Sequence, residues 1–141
     1  MATLFTRIIN GEIPGRFVWK DDQCVAFLTI APIRPGHTLV VPRKEVDHWL
    51  DLDPALGAHL FEVSRVIGRA IQASFRPGKV GLMIAGLEVR HAHLHLVPID
   101  EIADMDFARQ DQNPEPSALD DAARKIRETL FAMGKKEAAF S

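Results

Sequence analysis

Apolar residues along the chain switch between a helical and an alternating rhythm, and the switches mark out the elements. Leu4, Phe5, Ile8 and Ile9 fall at helical spacing behind Thr3, a good N-cap, and Gly11 and Pro14 end the run, so one short helix opens the chain. "RFVWKDDQCVAFLTI" predicts two strands parted by the turn signal Lys20-Asp21-Asp22. "APIRPG" is a loop, and "HTLVVPR" is a third strand, almost wholly apolar and so expected to be buried on both faces. Asp53, with Pro54 behind it, starts a long helix whose stripe Leu56, Leu60, Val63, Ile67 and Ile71 runs to about Ser74. "RPGK" turns the chain into a fourth strand, "VGLMIAG", and "HAHLHLVPI" predicts a fifth. Residues 100–121 hold eight acids and one base, Arg109, with Pro114 and Pro116, and read as an extended surface loop. Ser117 is the expected cap of a last helix with Leu119, Ala122, Ala123, Ile126 and Leu130 on one face, and "GKKEAAFS" is expected to fray. Short strands in hairpin-like succession with helices at the edges predict an α+β fold built on an antiparallel sheet.

Composition narrows the possibilities. At 141 residues, 47% hydrophobic and 26% charged, the chain has the size and make-up of one ordinary soluble domain. A formal net charge of −2 gives no global pull toward nucleic acid or an acidic membrane surface, and neither is expected as a partner. The N-terminus lacks the pattern of a signal peptide, and no apolar run approaches the roughly 20 residues of a membrane span. Cys24 stands alone, which rules out an internal disulfide or a cysteine-pair zinc site and fits a cytoplasmic location.

The candidate chemistry sits in "HAHLHLVP", where three of the six histidines occupy every second position. On a strand, Ala92, Leu94 and Leu96 share one face and His91, His93 and His95 the other, with neighbouring imidazoles about 6.5–7 Å apart. One face is then core, and the other presents groups that titrate near neutral pH. Three histidines in register beside so clean an apolar face point to a functional site. Two chemistries use such a row. Metal binding needs ligands from elsewhere, because three residues in line span roughly 13 Å while a metal–nitrogen bond is about 2.1 Å; His37 is the best added ligand. Nucleophilic and acid–base catalysis needs one imidazole to attack and its neighbours to orient it and move protons. Spacing alone leaves both open.

The surrounding residues do not. His-x-His-x-His followed by apolar residues resembles the motif of the histidine triad (HIT) superfamily of nucleotide-binding hydrolases and transferases. "LFTRIINGEIPGRFVWKDDQCVAFLTIAPIRPGHTLVVPRKEV" is similar to that family's N-terminal half, with its Phe-x-x-Ile-Ile helix, Ile-Pro turn, Asp-Asp hairpin, Ile-x-Pro loop and Gly-His-Thr-Leu-Val-Val-Pro strand. The likeness runs from about Leu4 to Pro98. It implies a HIT-like fold with a five-stranded sheet, a short N-terminal helix, a long central helix and a C-terminal helix. Residues 1–99 would be the family core, and residues 100–141 a variable tail packed on the same domain.

The resemblance also implies roles. His93 would be the nucleophile, attacking the α-phosphorus of a nucleoside phosphoramidate or dinucleoside polyphosphate to give a nucleotidyl-histidine intermediate. His91 would orient it, His95 would contact phosphate and help protonate the leaving group, and His37 would buttress the triad. Leu4, Phe5 and Ile8, with Phe27, Leu28 and Ile30, match the family's base and ribose pocket, and a purine nucleotide is the expected substrate. No metal and no cofactor is implied, and a homodimer is. This chain departs from the pattern at three places. Thr29 stands where many relatives grip the ribose with aspartate, Ala85 where they carry asparagine, and Glu88 near a phosphate-touching serine. The alternatives are a metal-dependent hydrolase using the histidine row, or a catalytically weak nucleotide-binding protein of the same fold.

Overall fold

Five strands form one antiparallel sheet in the order β1 (Phe17–Lys20), β2 (Cys24–Leu28), β3 (Thr38–Pro42), β5 (Leu94–Ile99), β4 (Lys79–Met83). With α1 (Leu4–Ile9), α2 (Pro54–Phe75) and α3 (Pro116–Ala132), this computed structural model, which describes residues 1–139, has the α+β architecture expected from the sequence. Among the described residues no helix is long and apolar enough to cross a membrane.

The sheet carries a separate core on each face, and β2 shows why. Cys24, Ala26 and Leu28 point to one side and join Val40, Leu94 and Leu96 beneath α2 and α3. Val25 and Phe27 point to the other and pack with Leu39, Val41 and the Phe5 and Ile8 side chains of α1. The first two helix starts follow the sequence closely. Thr3 Oγ1 accepts the Thr6 N–H at 3.1 Å, and Asp53 Oδ2 accepts the Ala55 N–H at 3.2 Å ahead of Pro54. Asp21 Oδ1 closes the β1–β2 turn by accepting the N–H groups of Gln23 and Cys24, each at 2.8 Å.

Four expectations are corrected. The fifth strand begins at Leu94, so His91 and His93 precede it. Its ladder with β3 stops at the Val40–Leu94 pair; continued, it would set Ala92 against Pro42, which has no N–H to offer. Instead the Ala92 N–H goes to the Val46 carbonyl at 2.7 Å. Pro116, not Ser117, opens the last helix, after a Glu115 N-cap without a side-chain bond; the fixed φ of proline suits a first helical turn. The C-terminal residues do not fray as far as Ala139: the Lys20 N–H donates to the Glu137 carbonyl at 3.0 Å and the Ala139 N–H to that of Val18 at 3.1 Å, closing the outer edge of β1. Phe140 and Ser141 lie outside the described residues. Finally, the acidic segment is not a plain extended loop. It folds into short 3-10 turns at Ile102–Met105 and Phe107–Arg109 and packs against the sheet.

The loop between β2 and β3 delivers His37 to the sheet, and its tightest point is Gly36. At φ +97° this position lies in the left-handed region, and an added Cβ would meet Cε2 of the Phe75 ring at 2.8 Å. Gly36→Ala should therefore destabilise the fold by about 1–3 kcal/mol, read as a lower urea midpoint with unchanged slope; wild-type stability in the variant would show that the loop relaxes freely.

Candidate active site

His91, His93 and His95 come together on the α1 face, and all three are buried, at 0%, 6% and 7% exposure. The face that carries the row is roofed by α1 and by the turn at Phe107–Arg109. Phe5 stands edge-on to His93 with ring centres 4.8 Å apart, and Phe107 stands edge-on to His95 at 5.0 Å. The His93 and His95 ring centres are only 4.8 Å apart, closer than strand spacing predicts, because His93 lies in the irregular lead-in to β5.

Hydrogen bonds assign the proton on each ring. A carbonyl oxygen can only accept, so His93 Nδ1, 2.7 Å from the His91 carbonyl, carries the hydrogen. The neutral ring then keeps a lone pair on Nε2, and no described residue bonds that atom. His91 Nε2 likewise donates to the Pro42 carbonyl at 2.7 Å, which leaves its Nδ1 to accept from the Thr3 hydroxyl, also at 2.7 Å. The third and fourth histidines form a directed chain. The Ile33 backbone N–H donates to His37 Nδ1 at 3.0 Å, so His37 holds its proton on Nε2 and passes a hydrogen bond to His95 Nδ1 at 2.9 Å. His95 therefore carries its hydrogen on Nε2. Among the described residues, every buried side-chain nitrogen or oxygen has a partner. The unpartnered Nε2 atoms of His93 and His95 are accordingly the ones solvent can reach.

Charge follows the same logic. Burial, then the neighbouring His93, pushes His37 down to about 4. Burial, His93 and His37 push His95 down to about 3. Burial also lowers His93, against the raising effect of its bond to the His91 carbonyl. At neutral pH the site thus offers one free imidazole lone pair beside one imidazole N–H. That pair suits attack on an electrophilic phosphorus and hydrogen bonding to its oxygens.

The other predicted residues separate. Phe5, Ile8 and Phe27 share the histidine face, with Leu4 exposed on the outer side of α1. Leu28 does not join them: it points into the core under α2 and α3, since neighbours on a strand face opposite ways. Ile30 lies 75% exposed at the rim, and the Thr29 hydroxyl accepts the Ala31 N–H at 3.1 Å. Ala85 and Glu88 are exposed on the segment leading to His91. Arg90, in the same segment, sits 3.6 Å from Asp47 at the surface. Sequence reasoning missed Thr3 as a partner of His91, the Ile33 N–H, and Phe107. Thr3 signalled only a helix cap, and Phe107 is the one aromatic in the acidic segment.

Comparison with known proteins agrees with the fold. A family model described as the HIT domain matches residues 10–102. An uncharacterized HIT-like protein of Methanocaldococcus jannaschii is 36% identical over 102 residues, covering 67% of this chain and 77% of that one. A hypothetical histidine triad nucleotide-binding protein from Sulfolobus tokodaii superposes with a TM-score of 0.82 at 27% identity, covering 94% of each chain. A Zn-bound histidine triad family protein from Mycobacterium smegmatis gives 0.80 at 26% identity, covering 97% and 99%.

Two buried neutral histidines make stability depend on pH. In the unfolded chain each binds a proton near 6.5; folded, His37 and His95 stay neutral down to about 4 and about 3. Between those values the unfolded state holds more protons, so the stabilisation is present above 6.5 and is lost as pH falls. The urea midpoint should drop between pH 6.5 and about 5, above the usual carboxylate range. His37→Asn should flatten that slope, and equal slopes in the two proteins would contradict the assignment.

Proposed function

The chain belongs to the HIT domain family, and on that premise we propose that it is a nucleotide hydrolase or nucleotidyl transferase working through a covalent histidine intermediate. The family is one of nucleotide-binding hydrolases and transferases. The observation that carries the finer reading is the free lone pair on His93 Nε2, held outward by the bond from Nδ1 to the His91 carbonyl. That nitrogen attacks the α-phosphorus of a nucleoside phosphoramidate or dinucleoside polyphosphate. The bond to the leaving group breaks, and water later releases the nucleotide from His93. His95 Nε2–H donates to the phosphoryl oxygens, where charge builds up. A polyphosphate leaving group departs as an anion. An amine needs a proton, which reaches it through His95 once the negative substrate has raised that ring's proton affinity.

The purine nucleoside lies against Phe5, Ile8 and Phe27, with Leu4 and Ile30 at the rim and the ribose beside Thr29. One neutral hydroxyl there grips the sugar less firmly than a carboxylate would. The protein is a homodimer in this reading. With the outer edge of β1 closed, β4 is the free edge of the described sheet, and the exposed side chains of Trp49, Leu50, Phe61 and Leu82 gather beside it. Such edges and apolar patches are normally covered.

Brief incubation with adenosine phosphoramidate at mildly acid pH, followed by intact mass spectrometry, should show a mass gain of one nucleotidyl group. His93→Ala should lose the adduct and about three orders of magnitude or more in turnover while still binding nucleotide. Treatment with a strong chelator should leave turnover unchanged. Nucleotide binding without an adduct would favour the catalytically weak binding protein instead, and activity lost with a stripped ion would favour metal-dependent hydrolysis. Light scattering should give the mass of a dimer at micromolar concentration; a monomer there would remove the β4 pairing.

A further inference from the structure

On the opposite face of the sheet, the β1–β2 hairpin meets α2 at a second group of ligating side chains, which the histidine site does not use. One oxygen, Asp21 Oδ2, receives His59 Nε2 at 2.8 Å and Cys24 Sγ at 3.5 Å, and the three ligand atoms all lie within 4.8 Å of one another. We propose that Asp21, Cys24 and His59 form a binding site for one zinc-class divalent cation, with its fourth position open to solvent.

The spacing suits the ion. Around tetrahedral zinc, with bonds of about 2.0–2.1 Å to oxygen and nitrogen and 2.3 Å to sulfur, ligand atoms stand about 3.3–3.6 Å apart. The Cys24–Asp21 separation already has that value, and the His59–Asp21 separation needs to open by about half an ångström. The carboxylate is also held in place from outside. Its Oδ1 accepts the Gln23 and Cys24 N–H groups and its Oδ2 accepts Trp19 Nε1–H, all at 2.8 Å, the kind of support that orients a metal-bound carboxylate. Arg43 Nε donates to the Asp21 backbone carbonyl rather than to the carboxylate. Cys24 is buried, whereas the side chains of Asp21 and His59 remain 15% and 34% exposed, which gives an ion a way in.

Proton accounting closes without a co-reactant. In the metal-free protein the hydrogens of Cys24 Sγ and His59 Nε2 both point at Asp21 Oδ2. On binding, the thiol proton passes to solvent and a sulfur–metal bond forms. His59 moves its proton to Nδ1 and binds through Nε2, and Asp21 binds as the anion. A thiolate, an imidazole and one carboxylate favour zinc or cobalt over magnesium or calcium. The ion would staple the hairpin to α2, so its binding adds to stability.

Full-length protein freed of metal by chelation and titrated with Co²⁺ should take up one equivalent and develop a near-ultraviolet sulfur-to-cobalt charge-transfer band, which Zn²⁺ abolishes. Zinc should also raise the melting temperature. Cys24→Ser should lose the band, and Cys24→Ser and His59→Asn should each weaken zinc binding at least about tenfold, whereas His93→Ala should bind as tightly as wild type. His59 is half-exposed on α2, so its variant remains informative if the buried Cys24→Ser change impairs folding. No charge-transfer band and no melting shift with excess metal would overturn the site, as would wild-type affinity in both ligand variants.

Discussion

A neutral imidazole has two nitrogens and one proton, so whatever bonds one nitrogen decides what the other can do. In this protein the main chain takes that decision at two places. The His91 carbonyl draws the proton of His93 to Nδ1 and leaves Nε2 with a lone pair. The Ile33 N–H sets His37, and through it His95, the other way round, so that His95 turns an N–H outward. Two chemically identical side chains therefore meet the same space in complementary states. Much of the surrounding structure serves to hold these backbone groups still. The Gly36 turn seats the loop carrying Ile33 and His37 against Phe75. The end of the β3–β5 ladder at Leu94 frees the His91 carbonyl to face a side chain rather than a strand.

Burial makes the arrangement hold at neutral pH. If these rings were solvated, an appreciable fraction would be protonated, and a protonated His93 has no lone pair. Beneath α1 and Phe107, desolvation is the largest influence on His37, His93 and His95, and it outweighs the bond to the His91 carbonyl that pulls His93 the other way. Keeping imidazoles neutral costs the fold stability only in acid. The α1 helix is thus more than a cover over the histidines. Phe5 packs on His93, and Thr3, its cap, hydrogen-bonds His91, so helix initiation and histidine orientation share one hydroxyl.

Much of this was legible in the sequence because it depends on local pattern. Helical stripes, most of the capping residues and the apolar β3 segment located the elements, and the alternation from His91 to His95 located the candidate site. What pattern could not supply was anything that depends on where a ladder ends or what lies across space. Strand spacing assumed that pairing continued through His91, but a proline on the neighbouring strand stopped it. Leu28 was matched to the pocket by family resemblance alone, yet alternation along β2 turns it to the other core. Asp21 was readable as a turn residue, while its meeting with His59, 38 positions away, was not.

The acidic segment shows the same limit from the side of charge. Eight acids against one base in residues 100–121 suggest a solvated loop, because repulsion among like charges keeps such a stretch extended. Here the chain imports the missing cation. Arg34, from the loop that carries Ile33 and His37, reaches Asp104 at 2.6 Å and Asp100 at 3.1 Å, while Arg109 bonds Asp104 and Glu101 from within the segment. The N–H groups of Asp100 and Glu101 also donate to Asp104, which is buried with its carboxyl held below the usual range, first by the Asp100 N–H. One buried carboxylate thereby turns a repulsive stretch into a folded strap. Asp111 N–H to the Pro32 carbonyl and Gln110 to that of Ala31 fasten its far end to the same loop. Because the strap and the His37 loop are bound to each other at both ends, Phe107 and His37 reach His95 from one joined unit. The third histidine is gripped by one unit made from two distant parts of the chain.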